Sequence, residues 1–253
     1  MKLPNPQTVE VFVNHKNLND LKILHLSDLH INKKIHKESL NKLVSVCTNL
    51  EYDFMVISGD IIDCKVKYIK DKLEILNSVA KFKPVYYISG NHDLVYGLED
   101  LKKELTSFIF MDNKSAYFDF KGNKITIVGL ADRFSKFFRV KRDEKKVLDL
   151  LDKNSSRIFI SHQPKDYELA RKTNTELFLC GHTHGGQIFP FHYLVKLVQP
   201  FLSGLFYKDK TAIYVNKGLG TWGINFRYKA NNEITILKLI SKSVEFISNN
   251  RGI

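Results

Sequence analysis

Five short polar blocks follow one another along the chain, most of them directly after an apolar, strand-like run. They are Asp28-Leu29-His30, Gly59-Asp60-Ile61-Ile62-Asp63, Gly90-Asn91-His92-Asp93, Ser161-His162 and Gly181-His182-Thr183-His184. Nearly all their polar residues are hard or borderline metal ligands, and they carry five of the nine histidines. One block of this kind is weak. Five in order imply side chains gathered from strand ends around bound metal, an arrangement whose usual task is to activate water.

The runs between the blocks supply the scaffold. Residues 23–27, 54–58 and 85–89 read as buried strands. Leu40, Leu43, Val44, Cys47 and Leu50 recur at helical spacing, as do Ile69, Leu73, Leu76 and Ala80. This β-α-β-α-β rhythm suits sheets that bind ligands beyond the carboxyl ends of their strands. Residues 117–120 and 125–128, around Lys121-Gly122-Asn123, predict a hairpin, and residues 144–151 a short helix. Strands are expected at 158–160 and 177–179, leading into His162 and the His182/His184 block, and again at 212–215, 234–239 and 244–247. No repeat or low-complexity linker divides the 253 residues, so one domain spanning 1–253 is expected.

A net charge of +12 favours anionic partners: phosphate esters, nucleic acid or an acidic membrane surface. The competing reading is a solvated basic surface. Cys47, Cys64 and Cys180 show no paired spacing, which suits a reducing compartment and argues against a disulfide framework or structural zinc. The first twenty residues hold no sustained apolar stretch, so neither a signal peptide nor a membrane span is expected there.

Taken singly, each block has an ordinary explanation. Asp-x-His occurs by chance, Gly-Asp-x-x-Asp also makes a turn, and His162 alone could be a hydrogen-bonded core histidine. As a set they offer carboxylate, amide and imidazole donors. Such mixed oxygen and nitrogen ligands suit manganese, iron or zinc better than calcium. A carboxylate such as Asp60 can bridge two cations, which a neutral imidazole cannot readily do.

The five blocks resemble the signature of the calcineurin-like metallophosphoesterases: Asp-x-His, Gly-Asp-x-x-Asp, Gly-Asn-His-Asp/Glu, His and Gly-His-x-His. The resemblance implies an α/β (α+β) sandwich of two mixed β-sheets flanked by helices, with a two-metal site at strand ends. It assigns Asp28, His30, Asp60 and His184 to one metal. Asp60 would bridge to a second, completed by Asn91, His162 and His182. His92 would donate a proton, oriented by Asp63, and Asp93 would lie behind the ligands. Two divalent ions are implied, manganese first, with iron, zinc or magnesium as alternatives. Cations about 3.5–4 Å apart lower the pKa of a shared water and clamp phosphoryl oxygens during in-line attack. An imidazole titrating near neutral pH then suits protonation of the leaving alkoxide.

Protein phosphatases of this superfamily carry Arg after the second Asp of Gly-Asp-x-x-Asp and Glu after Asn-His. Cys64 and Asp93 stand there instead, which argues against that branch. The Gly185-Gly186-Gln187 extension, Pro190 and the 214–220 stretch before Arg227 are similar to a bacterial, often membrane-associated branch. That branch includes UDP-2,3-diacylglucosamine pyrophosphatases of lipid A synthesis. Residues 189–207, twelve of nineteen being Phe, Tyr, Leu or Val, are too interrupted to span a bilayer. They read either as a lid that admits acyl chains and rests on lipid, or as a buried helix and loop. Arg133, Lys136, Arg139, Lys141 and Arg142 read as a solvated basic face or as a phosphate site.

The expected function is therefore binuclear-metal hydrolysis of the phosphate-ester or pyrophosphate bond of an anionic, amphiphilic substrate, with a lipid-linked nucleotide favoured. The expected place is the cytoplasm, with peripheral contact on the inner, acidic face of the membrane. Alternatives are a broad phosphodiesterase or phosphomonoesterase, a nuclease, or a scaffold that lost its chemistry. No stacking strip of aromatic and basic residues supports nucleic acid as a partner. None of the seven ligand positions is missing, which argues against a scaffold.

Overall fold

The computed structural model describes residues 2–138, 140–151 and 155–242. Twelve strands form two sheets: β1 (Gln7–Val13), β2 (Lys22–Leu26), β3 (Phe54–Ser58), β4 (Val85–Ile88), β5 (Ile109–Phe110), β6 (Lys114–Phe120), β7 (Asn123–Gly129), β8 (Ser156–Ile160), β9 (Leu177–Cys180), β10 (Gly204–Lys208), β11 (Thr211–Val215) and β12 (Thr235–Ser241). The first sheet runs β1-β12-β2-β3-β4-β5 and the second β10-β11-β9-β8-β7-β6. β2 to β5 are mutually parallel, as are β7, β8, β9 and β11, whereas β6, β10 and the β12–β2 pair are antiparallel.

Alternation along β3 explains the layering. Phe54 and Val56 enter the core between the sheets, with Ile23, Tyr86, Ile127, Ile158 and Leu179. Met55 and Ile57 face outward against α1 (Lys37–Asn49) and α2 (Lys70–Asn77), through Leu40, Leu43 and Leu73. Both faces are covered, so all five residues of β3 are buried. On the far side, Phe159, Phe178 and Ile213 pack with Val147 and Ala170. These two come from α5 (Glu144–Asp149) and α6 (Tyr167–Lys172); α3 (Asn91–Tyr96) and α4 (Leu98–Glu104) precede them in the chain. The expected sandwich of two mixed sheets flanked by helices is the observed architecture.

Most expected elements fall within a few residues of their observed ends. The hairpin turns on two residues, Lys121 and Gly122, both at positive φ, the backbone that suits the twist of the paired strands. β1 was not anticipated, although Val9, Val11 and Val13 alternate with Thr8, Glu10 and Phe12. The strand expected at 244–247 lies outside the described residues. No helix among the described residues is long and apolar enough to cross a membrane. All three cysteines are free, and Cys47 and Cys180 are buried in the core.

One expectation for residues 189–207 is overturned. They contain α7 (His192–Val198), which buries none of its residues. Leu197 is 82% exposed, and Phe191, Tyr193, Leu194 and Val198 are also exposed, so this is not a buried helix. The phosphate-site reading of the basic run also changes. Arg133 and Arg142 hold the buried Asp166 carboxylate at 2.6 and 3.0 Å, which makes them a structural clamp. Arg139 lies outside the described residues.

Candidate metal centre

All five blocks sit at or just past the carboxyl ends of strands. Asp28 and His30 follow β2, Asp60 and Asp63 follow β3, Asn91 and His92 follow β4, His162 follows β8, and His182 and His184 follow β9. Both sheets therefore contribute. The local backbone is unusual: Asp28, His30, Asp60, His182 and His184 all have φ between 47° and 72°. Residues with a Cβ reach this left-handed region at a cost of order 1–2 kcal/mol each, and such strain collects at functional sites. Gly59, at φ 95°, makes the close approach possible, since a Cβ there would collide with His162 Nδ1. A Cβ at Gly90 would likewise collide with Asp60 Oδ1.

The donor atoms fall into two groups that share Asp60. In one, His184 Nε2 lies 3.0 Å from His30 Nε2 and 3.4 Å from Asp28 Oδ1, and Asp60 Oδ2 lies 3.9 Å from His30 Nε2. In the other, His162 Nε2 lies 3.3 Å from Asp60 Oδ2, 3.2 Å from Asn91 Oδ1 and 3.1 Å from His182 Nδ1. The structure thus brings together all seven residues singled out as ligands. His92 also falls within reach of His30 and Asp60, but its Nδ1 is engaged by Asp63 Oδ1 at 2.8 Å.

The surrounding contacts leave the right atoms free. Asp28 Oδ2 accepts from the His182 N–H at 3.0 Å and from Ser27 Oγ, while Oδ1 is buried with no hydrogen-bond partner. Burial opposes ionisation of Asp28, yet the imidazoles of His184, His162 and His30 hold its carboxyl well below the usual range. Asp60 is lowered too, against burial, by His162 and His30. His162 Nδ1 donates to the Ser58 carbonyl at 2.8 Å, which turns the Nε2 lone pair inward. Burial pushes His30 down to about 4 and His182 down to about 3, so both are neutral and able to ligate. His162 is pushed the other way despite its burial, by Asp60 above all. A buried anionic carboxylate with an orphan oxygen, facing convergent imidazoles and an amide, fits a pair of divalent cations.

Asp93, expected behind the ligands, and Arg227, given no role in the site beforehand, complete the shell. Asp93 Oδ2 accepts from the N–H groups of Asp60 and Gly90, both at 2.8 Å, and from Tyr87 Oη at 2.5 Å. Its Oδ1 accepts from Ile62 N at 3.1 Å. Burial and the Asp60 charge push the Asp93 carboxyl up to about 7, against these four donors. Asp93 is also the third residue of α3, reaching back to its N-cap Gly90. The Gly-x-x-Asp spacing signals that helix start in the sequence. Arg227 Nη2 lies 3.0 Å from His184 Nδ1 and also donates to the carbonyls of Lys217 and Gly220. A guanidinium can only donate, so ligation through His184 Nε2 requires it to turn fully onto its carbonyl partners.

The sequence profile of the calcineurin-like phosphoesterases matches residues 21–186, which hold all five blocks. The chain belongs to this family. An uncharacterized metallophosphoesterase of Campylobacter jejuni is 36% identical over 253 residues, covering 95% of this chain and 65% of that protein. Two Helicobacter pylori relatives are each spanned over 61% of their length. An Escherichia coli protein described as a phosphodiesterase is 26% identical, covering 87% of this chain and 82% of its own. Among solved structures, a dimetal phosphatase from Danio rerio superposes with a TM-score of 0.53 at 12% identity, over 79% of this chain and 88% of that one. At that identity the likeness is one of fold.

Proposed function

We propose that this calcineurin-like phosphoesterase is a binuclear-metal-dependent hydrolase of phosphate-ester or pyrophosphate bonds, acting on a lipid-linked nucleotide such as UDP-2,3-diacylglucosamine in lipid A synthesis. The position of Asp60 between two complete donor groups, with His92 and Asp63 at their edge, carries the chemical part of this reading. Two divalent cations bound there, manganese foremost, supply the charge that activates an attacking water and neutralises phosphoryl oxygens.

The chain's own residues do the rest. Asp28, His30, Asp60 and His184 form one cradle, and Asp60, Asn91, His162 and His182 the other. Asp63 fixes the His92 ring and, against the effect of burial, raises its pKa, so the imidazolium stays available as a proton donor. No side-chain nucleophile takes part.

The apolar mouth supports the amphiphilic substrate. Ile188, Phe191, Leu194, Val198, Trp222 and Ile224 line a groove of about 520 Å³ that also touches Thr183 and Gly186, beside the ligands. Exposed apolar side chains in one contiguous area mark a ligand or membrane surface. Lys196 of α7 is exposed and Lys229 stacks over Phe189, and both suit peripheral contact with an acidic leaflet on the cytoplasmic side. A broad phosphodiesterase is the second reading, favoured by the description of the E. coli relative. Manganese-loaded protein assayed against bis-p-nitrophenyl phosphate and UDP-2,3-diacylglucosamine separates the two. Turnover of the simple diester alone would remove the lipid-linked substrate, and no metal-dependent turnover of any ester would remove the enzyme.

A further inference from the structure

Asp63 is placed to do more than hold the proton donor. Its Oδ1 lies 2.8 Å from His92 Nδ1 and 4.0 Å from Nδ1 of His30, a member of the first ligand cradle. The His30 and His92 rings meet edge to face, with centroids 4.6 Å apart. One carboxylate oxygen therefore stands before two imidazole nitrogens.

The two imidazoles are not equally served. His92 Nδ1 has its hydrogen bond, whereas His30 Nδ1 is buried with no hydrogen-bond partner among the described residues. An imidazole that ligates through one nitrogen carries its proton on the other and needs an acceptor there. His162 has one, the Ser58 carbonyl at 2.8 Å. His30 has none within range. Asp28 and Asp60 approach its ring at Nε2, at 4.0 and 3.9 Å, and Asp63 is the carboxylate that faces Nδ1.

The backbone fixes this register. The His30 N–H donates to the Asp60 carbonyl at 3.0 Å, and the His30 carbonyl accepts from Asn32 Nδ2 at 3.2 Å. The Ile31 N–H donates to the Ile61 carbonyl at 2.7 Å, and the Asp63 N–H to the Ile31 carbonyl at 3.0 Å. The loops after β2 and β3 are thus laced together, with Asp63 alongside His30. Side-chain rotation over about 1 Å is enough to bring Oδ1 into hydrogen-bond range of His30 Nδ1. Asp63 is partly exposed, which leaves its carboxylate room to turn.

We propose that Asp63 is a shared positioning residue, the acceptor for His30 Nδ1–H as well as for His92, and that the two imidazoles compete for it. The inference rests on the metal-centre reading and links that centre to the proton donor. A carboxylate behind a ligand imidazole fixes its tautomer and strengthens it as a donor to metal. The oxygen that orients His92 is withheld from His30, so orienting the proton donor weakens the hold on metal. Removing His92 should therefore tighten metal binding, against the usual effect of a substitution beside a metal site.

The test is calorimetric titration of the metal-stripped full chain with manganese, which needs no turnover. The site that His30 serves is the binding step that His30→Ala removes. For that step, His92→Ala is expected to bind about threefold or more tightly than wild type, the worth of one hydrogen bond. Asp63→Ala should bind about tenfold more weakly. Asp63→Asn, whose amide oxygen still accepts, should recover part of that loss and load fully at saturating manganese. In His92→Ala/Asp63→Ala the gain should vanish, because no carboxylate remains to be released. A misfolded variant cannot gain affinity, and a merely structural role for Asp63 gives no gain in His92→Ala. Unchanged or weaker binding in His92→Ala, or a gain that persists without Asp63, would overturn the proposal and leave the metal centre standing. A wild type that binds no manganese would overturn the metal-centre reading and this proposal with it.

Discussion

His92 Nδ1 lies 2.8 Å from Asp63 Oδ1, which leaves the opposite ring nitrogen free at the edge of the ligand cluster. The carboxylate raises the imidazole's pKa even though burial opposes the charged form. His92→Ala is expected to retain metal and to slow hydrolysis of alkyl esters by about 10²–10³-fold, with a much smaller effect on p-nitrophenyl esters. Asp63→Asn should follow the same pattern more weakly. A leaving-group series measured at fixed metal content checks this, and an equal loss across the series would contradict proton donation.

Asp60 is the one side chain within reach of both donor groups. Asp60→Asn removes the bridging charge while keeping the shape. Metal content per chain, read by elemental analysis after gel filtration, is expected to fall to half or less, with activity lost in parallel. Full occupancy in this variant would place the bridge elsewhere.

Asp93 holds four donors from three segments, those of Asp60, Ile62, Gly90 and Tyr87. Asp93→Asn turns an amide toward donors that it cannot satisfy, and the Asp60 loop loosens. Metal affinity should fall about 10–100-fold, the usual effect of losing a residue that orients ligands. Calorimetric titration with manganese measures it, and wild-type affinity would show that the loop is positioned by other contacts.

Leu194 and Leu197 are exposed beside the site. Leu194→Glu/Leu197→Glu is expected to depress turnover of a diacyl substrate about tenfold or more while leaving bis-p-nitrophenyl phosphate hydrolysis within about twofold. Equal effects on both compounds would dissociate α7 from substrate choice.

His25 is buried, with its Nε2 2.9 Å from Ser58 Oγ, and burial pushes its pKa down to about 3. The unfolded chain binds a proton near pH 6.5 that the folded chain refuses. Stability from this group is therefore fully present above about pH 6.5 and is lost as pH falls toward 3, by up to about 1.4 kcal/mol per pH unit. Chelator-treated His25→Gln should show a shallower decline below pH 6.5 than wild type in urea titrations. Identical slopes would mean that His25 does not titrate on unfolding.

The strands that carry the blocks were legible because burial on both faces makes their runs continuously apolar, as in β3 and β9. β1 lies at a sheet edge, half exposed, and its alternation is weaker than a buried run. Helix α7 stayed open between a lid and a core helix because its composition suits both, and burial decided it, since none of its residues is buried.

The residue types, their order and their place after strands pointed to a metal site, because hard and borderline donors recur in them, and the resemblance to the calcineurin-like metallophosphoesterases implied which seven would hold it. The tertiary structure decided which oxygen of Asp60 faces both groups and which oxygen of Asp28 is orphaned. It also decided that Asp93 ties the loop after β3 to β4 and to the start of α3, and that Lys72 lies beneath the turn of Lys33 and Lys34. These are relations between residues far apart in the chain. They depend on how two sheets meet, and no local pattern of side chains encodes that meeting.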